Sequence, residues 1–320
     1  MELTQVQALA ERIKANIGQV IVGKGHIIDH MLTALLASGH VLLEDVPGTG
    51  KTLLAKSLAR SMACSFQRIQ FTPDLLPSDV SGVNFYNQKS GEFEFRPGPI
   101  FANIVLADEI NRATPRTQAS LLESMEERQV SIDGETRQLD QPFMVLATQN
   151  PVDNQGTFPL PEAQLDRFMM KLTLGYPSTD EGLHILSRFQ ADNPFTEIQP
   201  VVDQATIIAA QQTIVQVKVN DDLLRYIVQL AEATRANGEL ALGVSPRATQ
   251  ALLRASQVWA VLQGRDYVLP DDIKALVEPV WAHRILLKGR LRASSGQEEA
   301  VLRRIVASVA VPTEAGFQAG

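Results

Sequence analysis

A chain of 320 residues has room for one large domain or two smaller ones. With 45% hydrophobic and 20% charged residues it has the proportions of a globular protein, which excludes disordered, collagen-like and coiled-coil chains. Lys plus Arg number 29 against 36 Asp plus Glu, a net charge of −7, so the overall basic balance of a duplex-DNA binder is lacking.

One cysteine, Cys64, excludes an intramolecular disulfide and any zinc ribbon or iron–sulfur site built by this chain alone. Its place in Ser-Met-Ala-Cys-Ser, behind a helical pattern, predicts a small core residue. The five histidines (His26, His30, His40, His184 and His283) show no His-Glu-x-x-His spacing. The opening MELTQVQALAERIKANIG is charged and amphipathic, without a signal-peptide core. No run of 18 uncharged apolar residues occurs, so no membrane insertion is expected and the cytoplasm is the default compartment.

Taken in chain order, a helical pattern over 27–37 precedes an apolar run at 40–44, and a second helical pattern covers 53–62. A short strand is expected at 68–71. Stretches 83–86 and 92–95 flank Gln88-Lys89-Ser90-Gly91 and predict a β-hairpin. An apolar run at 103–107 leads to a helix over 116–127. A second hairpin is expected from 129–132 and 136–139 around Asp133-Gly134-Glu135. Apolar runs at 143–147 and 168–174 complete the first half. Continuous apolar runs suit strands buried on both faces, and their alternation with helices predicts an αβα sandwich on a parallel sheet.

After Gly175-Tyr176-Pro177 nearly everything has helical period: 178–190, 204–217, 221–236, 246–263, 270–285 and 298–309. Ser245-Pro246 reads as an N-cap with proline at the first helical position, and Leu252, Leu253, Ala255 and Val258 as that helix's buried face. The expected organisation is an α/β domain over 1–177 with two inserted hairpins, an all-α domain over 178–310 and a flexible tail over 311–320.

The strongest chemical signal is Glu44-Asp45-Val46-Pro47-Gly48-Thr49-Gly50-Lys51-Thr52, which follows a strand and opens a helix, the context a P-loop requires. Gly48 and Gly50 let backbone N–H groups converge on one anion, and the helix N-terminus adds partial positive charge. Lys51 is placed to reach the β- and γ-phosphates of a nucleotide and the Thr52 hydroxyl to bind Mg²⁺. The general pattern has glycine where this chain has Asp45.

Ile104-Val105-Leu106-Ala107-Asp108-Glu109 is a buried strand ending in two carboxylates. Asp108 would hold Mg²⁺ through water, and Glu109 would take a proton from the attacking water. The next strand ends in Ala147-Thr148-Gln149-Asn150-Pro151; either Asn150 orients that water or Asn-Pro simply starts a turn. Arg167, at a helix-to-strand junction, either projects into a neighbouring subunit's ATP site or makes a surface ion pair with Glu162 or Asp166. Arg247 lies in the first turn of a helix, where a cation opposes the helix dipole. An anion contacted across the cleft between the two domains would explain it; the alternative is an ordinary exposed arginine.

The whole pattern resembles the AAA+ ATPases and, within them, the MoxR family. Beyond the ATPase elements the resemblance rests on Gln70-Phe71-Thr72-Pro73-Asp74-Leu75-Leu76-Pro77-Ser78-Asp79, Arg96-Pro97-Gly98-Pro99-Ile100-Phe101, and Ala107-Asp108-Glu109-Ile110-Asn111-Arg112. It rests also on Gln118-Ala119-Ser120-Leu121-Leu122-Glu123-Ser124-Met125-Glu126-Glu127 and on Leu160-Pro161-Glu162-Ala163-Gln164-Leu165-Asp166-Arg167-Phe168. That family's own loop resembles Glu-Asp-Val-Pro-Gly-x-Gly-Lys-Thr, which accommodates Asp45.

The resemblance implies an ATP- and Mg²⁺-dependent ATP hydrolase with a helical lid. Ile21, Val22 and Gly23 would lie near the adenine, and Pro47, Gly48, Thr49, Gly50, Lys51, Thr52 and Leu53 would hold the phosphates. Asn150 resembles sensor 1, Arg167 an arginine finger and Arg247 sensor 2, and the hairpins resemble the helix-2 insert and the pre-sensor-1 hairpin. It also implies a homo-oligomer, as a hexameric ring, that remodels a partner protein carrying a von Willebrand factor A domain. Two other readings remain: a nucleic-acid-translocating or chelatase-like AAA+ motor, and a small-molecule kinase. Acidic residues at the hairpin tips (Glu92, Glu94, Asp133, Glu135) beside Lys89 and Arg137 give no positive nucleic-acid track, so no nucleic-acid partner is expected.

Overall fold

The computed structural model describes residues 1–150, 156–190, 194–289 and 296–312. Two helices, α1 (Leu3–Gly18) and α2 (Gly25–Leu36), precede the first strand, β1 (Val41–Glu44). The chain continues through α3 (Lys51–Ser61), β2 (Phe66–Gln70), the one-turn α4 (Pro77–Ser81) and a hairpin of β3 (Gly82–Asn87) and β4 (Glu92–Pro97). Next come β5 (Ile104–Asp108), α5 (Pro115–Glu127), a second hairpin of β6 (Gln129–Ile132) and β7 (Glu135–Gln138), and β8 (Met144–Gln149). The short α6 (Glu162–Leu165) and β9 (Met170–Leu172) close the first half.

Five strands form a parallel sheet in the order β2-β5-β8-β1-β9. Because side chains alternate along a strand, the apolar runs split between its two faces. Val41, Leu43, Ile104, Leu106, Met144 and Leu146 join one core, and Leu42, Val105, Ala107, Val145 and Ala147 join the other with Leu121, Leu122 and Met125 of α5. Parallel strands with both faces covered are thus the reason for the unbroken apolar runs.

The hairpin β3–β4 leaves the second core through a tight crossing. A Cβ at Gly82 would meet the Arg96 carbonyl oxygen at 2.4 Å, and one at Gly98 the Val80 carbonyl oxygen at 2.2 Å, so both positions need glycine. The two hairpins touch: Asn84 Nδ2 donates to Asp133 Oδ2 at 2.8 Å, and the Arg137 guanidinium lies 4.1 Å from the Phe95 ring centroid.

The second half holds α7 (Thr179–Phe189), α8 (Gln204–Thr213), α9 (Asp221–Ala236), β10 (Leu240–Leu242), α10 (Pro246–Leu262), α11 (Pro270–Trp281), β11 (Leu286–Leu287) and α12 (Gln297–Ser308). The helices expected to run to 217 and 285 end at Thr213 and Trp281 and finish as 3₁₀ turns, Ile214–Gln216 and Ala282–Arg284. The second half is also not all-α, since β10 and β11 pair antiparallel. Nor does it have a core of its own. Leu9, Ile13, Met31 and Leu35 from α1 and α2 lie in one apolar cluster with Tyr226, Leu252, Val258, Leu276 and Trp281. The expected tail falls almost wholly outside the described residues, which stop at 312. Cys64 is half-buried against that core, and burial pushes its thiol up to about 12. Among the described residues no helix is long and apolar enough to cross a membrane.

Candidate active site

The loop after β1 is built around two left-handed glycines, Gly48 at φ +84° and Gly50 at φ +92°. A Cβ at either would meet nothing within 4 Å, so their backbone faces open space. Gly50 precedes α3 as an N-cap without a side chain, which leaves the first-turn amides of Lys51, Thr52 and Leu53 uncapped. Among the described residues Lys51 Nζ has no carboxylate partner; it donates to the carbonyl oxygens of Asp45 (3.2 Å) and Val46 (2.7 Å). Pro47 and Gly48 are exposed at the tip, and Thr49 Oγ1 donates to the Val46 carbonyl at 3.3 Å. An open cradle of amides with an uncompensated lysine fits a polyphosphate.

Asp45, the departure from the general pattern, is buried at 5% exposure. Its Oδ1 accepts from the Val46 amide at 2.8 Å, and its Oδ2 from the amides of Leu174 and Gly175, both at 2.9 Å. A glycine there would leave the phosphate loop untethered from the turn that follows β9.

At the same end of the sheet, Asp108 closes β5, and Glu109 follows it in the left-handed region at φ +57°. Thr148, buried in β8, ties the two together: its Oγ1 donates to Asp108 Oδ1 at 2.6 Å and accepts from the Glu109 amide at 2.8 Å. Asp108 Oδ2 accepts from Arg68 Nε at 3.0 Å and Nη2 at 2.5 Å, and Glu109 Oε2 accepts from Gln70 Nε2 at 2.9 Å and pairs with Arg112 at 3.0 Å. Asn150 sits half-buried one residue past β8, whose end meets the phosphate loop through the Asp45 amide and the Gln149 carbonyl oxygen at 3.3 Å. Pro151 lies outside the described residues. Among the described residues no three His, Cys, Asp or Glu gather into a metal cage. A Mg²⁺ held by Thr52 and Asp108 would therefore take its other ligands from phosphate and water.

Val22 and Gly23 line a cavity of about 360 Å³ together with Ile21, Ile28, His184 and Arg188. Arg188 Nε donates to His184 Nε2 at 3.2 Å, and Arg188 Nη1 to the Gln19 carbonyl oxygen at 2.5 Å. Lys24 Nζ donates to the Tyr176 carbonyl oxygen at 3.2 Å, next to the turn that Asp45 holds, so this cavity and the phosphate loop share one scaffold. The size and apolar walls suit a nucleobase. His184 and Arg188 were not among the residues singled out from sequence, because an isolated His and Arg on an amphipathic helix carry no local signal.

Arg167 and Arg247 are elsewhere. Both reach Glu126 at the end of α5: Arg167 Nε donates to Oε2 at 2.8 Å, and Arg247 Nη2 donates to Oε1. The expected partners Glu162 and Asp166 are thus corrected to Glu126. Burial alone would raise the Glu126 carboxyl, but the hydrogen bonds and charge of the two arginines outweigh it and hold the carboxyl below its ordinary value. The pair lies in a cavity of about 630 Å³ whose wall includes Ser38, Gly39 and Arg254. Ser38 and Gly39 precede β1, whereas the phosphate loop follows it. At about 3.3 Å per residue the two ends stand about 20 Å apart, beyond the reach of any side chain. The sequence leaves open which anion Arg247 would meet across the domain cleft; in the structure it stands beside Arg167, at the opposite end of the sheet from this chain's phosphate loop.

A parallel five-strand sheet with an open phosphate loop and a terminal acidic pair, backed by helices, defines an AAA+ ATPase with its lid. Residues 40–170 match the model of the ATPase family associated with various cellular activities, and residues 232–305 match the AAA lid domain. The chain is 52% identical to the uncharacterized protein YeaC of Bacillus subtilis over 93% of both chains. It is 40% identical to Chaperone MoxR1 of Mycobacterium tuberculosis over 94% of this chain and 82% of that one. Against Protein MoxR of Paracoccus denitrificans the identity is 34%, covering 86% and 87%. A crystal structure of a candidate ATPase from Cytophaga hutchinsonii superposes with a TM-score of 0.90 at 39% identity, covering 97% of each chain. The chain belongs to the MoxR family.

Proposed function

We propose that this protein hydrolyses ATP at sites shared between copies of itself, arranged head to tail in a ring, and uses the cycle to remodel a partner protein. The observation that carries this reading is the separation of the phosphate loop from Arg167 and Arg247 by the full length of the sheet. One chain cannot bring both to one nucleotide, whereas a second copy can. Head-to-tail contacts of this kind close into a ring where the rotation between copies permits, and six subunits is the number the family resemblance implies.

Within such a site the Gly48–Leu53 backbone and Lys51 hold the phosphates, and Val22 and Gly23 flank the base. Mg²⁺, when bound at Thr52 and Asp108, supplies neutralising charge to the phosphate oxygens. Glu109 accepts the proton of the attacking water, with Asn150 orienting that water, once Glu109 leaves Gln70 and Arg112. Arg167 and Arg247 of the next copy give up Glu126 for the charge that develops on the transferred phosphoryl group. Such an arginine is worth roughly 10³–10⁵ in rate in other phosphoryl-transfer systems.

The partner-facing surface is the pair of hairpins, where Phe85, Tyr86 and Phe93 are exposed, Phe93 to 75%. A protein client, of the von Willebrand factor A class that the family resemblance implies, suits this surface better than nucleic acid. Arg137 there is taken up by Glu135 at 2.6 Å and by the Phe95 ring. The test is Arg167→Ala. Nucleotide affinity is expected to hold while turnover falls at least 10³-fold; equal loss of both would remove the finger role.

A further inference from the structure

Arg167 lies in a short turn between α6 and β9, and its side chain touches Glu126. What fixes its backbone comes from the other half of the chain. A single nitrogen, Arg284 Nη2, donates to the carbonyl oxygens on both sides of it, Asp166 at 3.0 Å and Phe168 at 2.8 Å. His283 Nε2 donates to the same Phe168 oxygen at 2.8 Å. The Asp166 carboxylate faces Arg284 Nε at 3.1 Å through Oδ1 and accepts from Ser245 Oγ at 2.9 Å through Oδ2. Ser245 is the N-cap of α10, its Oγ accepting from the Ala248 amide at 3.1 Å, and Arg247 stands two residues further on.

One carboxylate–guanidinium pair, its guanidinium buried and its carboxylate partly so, therefore holds both arginines. The Arg284 side chain is 3% exposed, and its Nε and Nη1, like Asp166 Oδ1, are buried without a hydrogen-bond partner among the described residues, so the pair is held by charge and not by a hydrogen bond. Burying a guanidinium with an unsatisfied nitrogen is a costly way to stabilise a fold, and apolar replacements of buried ion pairs are often neutral. A flat guanidinium that donates from one nitrogen to two carbonyls while a second nitrogen stays against a carboxylate is, by contrast, a good way to fix a geometry, and an ammonium has no second nitrogen with which to keep the carboxylate contact.

We infer that Arg284, with Asp166 and Ser245, is a positioning residue that sets Arg167 and Arg247 at the spacing a neighbouring copy's nucleotide requires. This rests on the proposal that Arg167 acts between subunits. The junction joins the 3₁₀ turn after α11, the cap of α10 and the turn carrying Arg167, so a shift of the helical half moves both arginines together.

The test is complementation in mixed assemblies. Turnover and affinity for a fluorescent ADP analogue are measured for Arg284→Met, Arg284→Lys, Arg167→Ala and Lys51→Ala, alone and in equal mixtures with Lys51→Ala. Arg284→Met alone should lose about 10²-fold in turnover, the cost of a displaced catalytic group, while keeping its ADP affinity. Arg284→Lys should not restore it. Mixing Arg284→Met with Lys51→Ala should recover activity, because an intact phosphate loop then meets a well-placed arginine pair on its neighbour. If the Arg284→Met mixture stays inactive while the Arg167→Ala mixture recovers, Arg284 serves its own chain's fold and the inference is overturned. If the Arg167→Ala mixture also fails, the between-subunit reading itself is wrong. Should Arg284→Met not fold, Ser245→Gly keeps an acceptable N-cap while removing the bond to Asp166. It is expected to lose less turnover and to be complemented in the same way; a loss that Lys51→Ala does not complement overturns the inference.

Discussion

Replacing Asp45 by glycine would bring the phosphate loop into line with the general P-loop pattern, and the structure says that this should harm the protein. The carboxylate satisfies three amides, two of them across the chain at Leu174 and Gly175. Leu174 is buried at 4% exposure, so its N–H would lose its partner with little access to water, at a cost of about 1–3 kcal/mol. Gly175 is only half-buried and recovers part of its loss from solvent. Added backbone freedom contributes roughly 0.5–1 kcal/mol more. The expected destabilisation is about 2–4 kcal/mol, which lowers the melting temperature by about 3–6 °C in a chain of this size. Thermal melting followed by circular dichroism, with ADP affinity measured on the same samples, checks it. Weaker nucleotide binding should accompany the lower melting point, because the loop loses its tether to the turn beside the base cavity. A variant that melts at the parent temperature and binds ADP more tightly would refute this account of Asp45.

Glu109→Gln keeps the hydrogen-bonding shape but cannot take a proton; nucleotide binding should persist while turnover drops about 10²–10⁴-fold, as read by phosphate release. Unchanged turnover would remove Glu109 as the base. His40 is buried between β1, β8 and the end of α5, its Nε2 donating to the Met125 carbonyl at 3.0 Å and its Nδ1 accepting from the Val145 amide at 2.9 Å. Burial lowers its pKa to about 4, and His283 is lowered in the same direction, chiefly by burial. Both are neutral in the folded protein and take up protons on unfolding. The stability they contribute is therefore present above pH 6.5 and lost as pH falls from there towards 4, by up to about 3 kcal/mol for His40 alone. Urea midpoints across that window should fall with acidity, and His40→Gln should flatten the slope; an unchanged slope contradicts this.

The sheet, the hairpins and the phosphate loop were legible because each depends on local pattern: apolar runs, Asp133-Gly134, and glycines ahead of Lys51. Asp108, Glu109 and Asn150 were legible as the ends of those runs. What the sequence hid depends on contacts far apart in the chain. Glu126 looks like one more charge on an exposed helix, yet it receives both Arg167 and Arg247. Thr148 reads as a polar strand residue, and only the neighbouring strand reveals that it links Asp108 to Glu109. Arg284, in Ala-His-Arg-Ile, gives no hint of a buried partner at Asp166. Arg247 reads from the sequence as a cation in the first turn of a helix, as α10 has it, but nothing local reveals which end of the sheet α10 meets. The shared core of α1 and α2 with α10 explains that placement: α10 packs on the two helices that precede β1.

The central claim is that the reaction needs two copies of the chain. ATP turnover per chain, measured across a dilution series with the assembly state followed by light scattering, tests it most directly. The account predicts turnover that falls towards zero as the assembly dissociates to single chains and returns when they are concentrated. Full turnover by single chains at the lowest concentrations would contradict it.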